Sequence, residues 1–163
     1  MTRVDDTRRR LLASLGAGAA IAVAGCTGAS GEPHYEDGDV DVDGEGEERS
    51  AEEMTAAQSL AEQEIHESVT PLDTITIDDH EFVLEDGFVG STVQGSVENT
   101  DDERVELVEV RVRVYDDEGD QLGRYIDRTG DLDGESTWEF TVVLLESPSD
   151  IDEYDIAALG TPS

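Results

Sequence analysis

The side chains that could do chemistry are few and scattered. Cys26 is the sole cysteine, so no disulfide can form within the chain. His34, His66 and His80 stand far apart, without an H-x-x-x-H spacing that would set two ligands on one metal. Ser and Thr are plentiful, yet neither a G-x-S-x-G elbow nor a glycine-rich phosphate loop occurs. Asp39-Val40-Asp41-Val42-Asp43-Gly44 matches the first six positions of a calcium loop, D-x-D-x-D-G. The match then fails, because Ser50 stands where a bidentate Glu is required, Gly46 replaces the usual aliphatic and no helix precedes the loop. A solvated acidic stretch with weak nonspecific cation binding fits better, and neither a metal nor a cofactor is expected. Arg111 and Arg113 are more informative, since they lie on one outward strand face. Acids such as Glu98 or Glu139 on neighbouring strands are expected to pair with them, in preference to a partner patch.

The charge balance narrows the function classes further. Among 163 residues, 42 are Asp or Glu and 10 are Arg, with no Lys, for a formal net charge of -32. Such a surface repels phosphate backbones and anionic headgroups, which argues against a nucleic acid partner. At roughly 1 M salt the screening length falls to about 3 Å, so the self-repulsion becomes tolerable. Acid richness with no Lys therefore points to a halophile. With 36% hydrophobic and 5% aromatic residues, the chain has material for one domain.

The first 25 residues read as an address. Arg8, Arg9 and Arg10 precede a run of Leu, Ala, Gly, Ile and Val that ends at Val23-Ala24-Gly25-Cys26. This order resembles a twin-arginine signal joined to a lipobox. The resemblance implies that Arg8 and Arg9 are the pair read by the export machinery and that Cys26 is lipidated and becomes the first mature residue. It also implies a folded cargo, exported and anchored to the outer face of the cell membrane. An uncleaved anchor fits poorly, because this 15-residue run, interrupted by one Ser, rises only about 22 Å as a helix against a hydrocarbon core of roughly 30 Å.

Residues 26–49 are rich in Gly, Asp, Glu and Ser and read as a disordered acidic tether. Ser50-Ala51-Glu52-Glu53 is a capping box, and Met54, Ala57, Leu60, Ala61 and Ile65 then recur at helical steps. The spacing predicts a short amphipathic helix over 50–68, closed before Thr70-Pro71, which either packs on its own domain or docks a partner.

From residue 72 the signals are those of strands. Short runs at 74–77 and 81–84 lead through the Asp86-Gly87 turn to Val93, Gly95 and Val97 on one face. Val108, Val110, Val112 and Val114 alternate with Glu109, Arg111 and Arg113, so one strand carries an apolar face and a charged face. Val105 and Leu107 are out of phase with those valines, which predicts a bulge near Leu107. Gly119 can take the left-handed position in the next hairpin. Leu122, Tyr125 and Ile126 suggest a shorter strand, Leu132 a plug from the loop 130–136, and Trp138, Phe140, Val142 and Leu144 a further core strand. Ile151, Tyr154, Ile156 and Ala158 supply the last. The fold class is all-β: an immunoglobulin-like antiparallel sandwich of about seven strands over 72–160.

Val112-Arg113-Val114-Tyr115-Asp116, with Gly95-Ser96-Val97-Glu98-Asn99-Thr100 before it and Trp138-Glu139-Phe140 after it, resembles the FxLYD domain of halophilic archaeal lipoproteins. Val112 stands where Phe is usual and Val114 where Leu is usual; Tyr115 and Asp116 match. The resemblance implies a β-sandwich without a catalytic residue, in which Tyr115 and Asp116 act structurally. The expected role is non-catalytic: binding or scaffolding at the cell envelope, with the membrane held through lipidated Cys26 and an envelope protein as candidate partner. The alternative is a small-ligand or cation-binding accessory lipoprotein of a membrane transporter or redox complex.

Overall fold

A computed structural model describes residues 31–41 and 46–162. Arg8, Arg9, Cys26 and the signal segment 1–25 lie outside the described residues, as does part of the D-x-D-x-D-G stretch. In chain order the elements are β1 (Glu36–Asp39), α1 (Ala51–Leu60), β2 (Ile75–Glu85), β3 (Gly90–Asn99), β4 (Val105–Tyr115), β5 (Gln121–Leu132), β6 (Thr137–Val143) and β7 (Glu153–Pro162).

The seven strands form two antiparallel sheets, one ordered β1-β7-β4-β5 and the other β2-β3-β6. The connections β3 to β4, β5 to β6 and β6 to β7 each pass from one sheet to the other, as in an immunoglobulin-like sandwich. Alternation decides what faces inward. Val108, Val110, Val112 and Val114 are fully buried and share one cluster with Phe82, Val93, Val97, Phe140, Val142, Leu144 and Tyr154. Burying side chains of this size contributes about 1.5–3 kcal/mol each. Trp138, expected in the core, is only partly buried against its rim.

The register slips between Val105 and Leu107 where β4 meets β7, the bulge that the phase change required. Across from it Asp131 has a left-handed backbone, φ 54°, so β5 changes phase as well and Leu132 reaches the core beside Val105. The two runs expected at 74–77 and 81–84 form, from Ile75 onward, one strand, β2, because a register shift between Ile77 and Asp79 absorbs the polar residues between them. β5 likewise extends through Leu132, so the loop before β6 is shorter than the 130–136 expected.

Two of the expected segment boundaries change. Residues 36–39 of the supposed tether are strand β1, paired antiparallel with the edge of β7. Edge pairing supplies what composition lacks, and Gly38 leaves room for the Tyr154 ring, which a Cβ there would strike. The capping box forms at Ser50 and Glu53, but α1 stops at Leu60 rather than near residue 68. Ala61 is already extended, and the next carbonyl, of Glu62, accepts from the Ile126 amide at 2.8 Å on the free edge of β5. A sheet edge has taken over the backbone that a further helical turn would have used.

Candidate functional site

The outward side chains of β4 are largely covered. Cross-strand register places Arg128, Glu109 and Leu159 in one row, Ile126, Arg111 and Ala157 in the next, and Arg124, Arg113 and Asp155 in a third. Four of the six arginines that follow Cys26 thus lie on the outer face of the larger sheet. Glu109 among them is 0% exposed.

Residues 62–70 account for that burial. The segment leaves α1, bonds the edge of β5 at Ile126, crosses the face and ends on the far edge, where Thr70 and Gly160 exchange two backbone bonds of 2.9 Å. Beneath it, Glu109 Oε1 accepts from Arg111 Nε at 2.6 Å and Oε2 accepts from the His66 amide at 2.9 Å. Arg111 Nη2 donates to the His66 carbonyl at 3.3 Å, and Arg128 Nη2 donates to the Glu64 carbonyl. Arg128 Nη2 also lies 3.8 Å from Glu109 Oε2, so one buried carboxylate is shared by two guanidinium groups and an amide. Such satisfaction is what makes a buried charge tolerable. Glu98 and Glu139, the partners expected for Arg111 and Arg113, belong to β3 and β6 of the other sheet. The acids that serve are Glu109, two residues along the same strand, and Asp155 on β7.

The third row is closed by the N-terminal segment. Arg113 grips Asp155 through Nε, at 2.8 Å from Oδ1, and Nη2, which donates to Oδ2. That pairing holds the Arg113 pKa above its ordinary value. The ring of Tyr35, one residue before β1, lies 3.6 Å from the guanidinium carbon, a cation–π contact. Tyr115 donates to Asp155 Oδ2 at 3.1 Å, and burial raises its hydroxyl pKa. Asp116 begins the β4–β5 turn and accepts the amides of Glu118 and Asp120 through Oδ1, at 3.0 and 2.8 Å. Val112 and Val114, the other two motif positions, are core residues. Asp116, Glu118 and Asp120 bring ligand atoms within 4.8 Å of one another, but Asp116 Oδ1 is already engaged by the turn.

Elsewhere among the described residues the chemistry-bearing side chains stay apart. His34 is exposed, His66 rides on the segment 62–70, and His80 Nδ1 shares a 2.7 Å hydrogen bond with the Tyr154 hydroxyl. Arg49, assigned by composition to the tether, donates to the carbonyls of Phe88, Val89, Leu144 and Leu145, and its burial lowers its pKa. Its only signal in the sequence is a lone Arg after a long acidic run. Asp127 Oδ2 accepts the Thr141 amide at 2.9 Å, linking β5 to β6 across the open side of the sandwich; burial raises this carboxyl's pKa. The broad clefts, of about 540 and 520 Å³, are open and contain several carboxylates each.

The outer face is therefore built to hold an extended chain. Guanidinium groups donate to its carbonyls, a carboxylate accepts its amide and two sheet edges fix its ends. No known protein-family model, curated protein or solved structure matches the chain.

Proposed function

We propose that this chain is a non-catalytic β-sandwich of FxLYD type, lipid-anchored at Cys26 on the outer face of the cell membrane, where it binds or scaffolds an envelope protein. The observation that carries the reading is the order of residues 8–26, paired arginines, a weakly apolar run and then the lone cysteine. Strand β1 adds a constraint. From Cys26 to Glu36 ten residues reach at most about 35 Å, so a lipid on Cys26 would hold the sandwich close to the membrane rather than at the end of a long tether. A polar, acid-lined surface supports a protein or cation partner over an apolar small ligand, which needs an enclosed apolar pocket.

Mass spectrometry of the protein extracted from membranes tests this. The expected species begins at Cys26 and carries a thioether-linked lipid; Cys26→Ser should release the sandwich into the medium, and replacing Arg8 and Arg9 by Lys should leave the precursor inside the cell. A soluble chain still beginning at Met1 would refute the anchor. Crosslinking on intact membranes at high salt should then recover one reproducible partner.

A further inference from the structure

The segment 62–70 holds its place by unusual means. Its two ends bond to sheet edges and its middle is read by Glu109, Arg111 and Arg128 through its main chain. What it lacks is apolar burial, since residues 62–68 are all exposed and Val69 is its one buried apolar side chain. A sheet edge receives an extended peptide through main-chain pairing, and here one bridge of that kind at each edge is joined by side-chain bonds to the main chain across the face. Charge agrees, because Glu62, Glu64 and Glu67 lie along the face on which a chain of net charge -32 has gathered four of its arginines.

We propose that the outer face of the larger sheet is a docking surface for an extended acidic peptide of a protein partner, and that residues 62–70 occupy it in cis as a displaceable cover. Lifting the cover breaks a handful of hydrogen bonds and uncovers Val69 with the Ala157 and Leu159 side chains it packs on, while the valine core between the sheets stays closed. The vacated face keeps the Glu109 acceptor, the Arg111 and Arg128 donors and two free edge positions at Ile126 and Gly160. A partner's apparent affinity is then reduced by the fraction of chains that are uncovered. This deepens the binding reading above and relies on it only for the partner's existence; its test involves no membrane, so a failed lipid anchor would leave the result unchanged.

The test uses the full chain and a fluorescent synthetic peptide of residues 61–70, AEQEIHESVT, followed by anisotropy at constant salt. Val69→Ser removes the apolar anchor of the cover, and that variant should bind the peptide at least tenfold more tightly than the unmodified chain. Adding Arg128→Gln, or replacing the peptide's three Glu by Gln, should cut binding at least fivefold. Equal binding by the variant and the unmodified chain overturns the proposal. So does a Val69→Ser chain that dimerises instead, since a second copy would then be the occupant. Should the variant fail to fold, amide exchange in the unmodified chain decides: His66, Ile126 and Gly160 should exchange at least a hundredfold faster than Val110 and Val112. Exchange of both groups together would mean that the cover opens only when the sandwich unfolds, and would equally overturn it.

Discussion

On the inner side of β4, four valines are buried against Phe140, Val142 and Leu144, whereas on its outer side Glu109 is buried just as completely among Arg111, Arg128 and the main chain of residues 62–70. The first burial is non-directional and depends on volume. The second depends on a few donors and acceptors meeting at set distances, so removing one leaves charges with no partner. One strand thus holds an oily layer and an ionic layer back to back, and they should fail in different ways.

The largest loss should come from the oily side. Phe140→Ala removes a ring that is 2% exposed and should cost about 3–5 kcal/mol in denaturant unfolding at constant high salt. On the ionic side, Glu109→Ala strands two guanidinium groups beneath the cover and should cost about 3 kcal/mol. Replacing Glu109 and Arg111 together by Met and Leu should restore most of that loss, which no second substitution would do for Phe140. A smaller effect separates the faces by pH. Burial, with the charges of Asp39 and Glu81, pushes the Tyr154 hydroxyl up to about 12 from its ordinary 10. Because the folded state holds that proton more tightly, the stability it contributes is complete below about pH 10 and is lost as pH rises toward 12. Tyr154→Phe should flatten unfolding curves across that window while costing about 1 kcal/mol at neutral pH for the hydrogen bond to His80. Last, Arg104→Gln removes an exposed pair with Asp131 and should leave unfolding unchanged within error.

The inner layer was legible because alternation is local. Val108 to Val114 declare a strand by themselves, the phase slip at Leu107 declares a bulge, and Ser50 with Glu53 declares a helix start. The outer layer was not, because its partners come from segments whose own patterns point elsewhere. Glu36-Asp37-Gly38-Asp39 contains no strand former and becomes β1 only because β7 offers a free edge and Tyr154 a ring to lie on. Residues 61–68 continue a helical stripe through Ala61 and Ile65, yet the edge of β5 claims Glu62 first. Arg111 could be assigned to the outer face from alternation, but its acid could not be chosen without the strand order, and Glu98 and Glu139 proved to be in the opposite sheet.

Whether the charged side of β4 is an interior is decided by a double-mutant cycle on Glu109 and Arg111, read as unfolding free energy at several salt concentrations. A buried pair 2.6 Å apart should show a coupling of about 2 kcal/mol that changes little with ionic strength. A coupling below about 0.5 kcal/mol that fades with salt, as for an exposed pair, would contradict it.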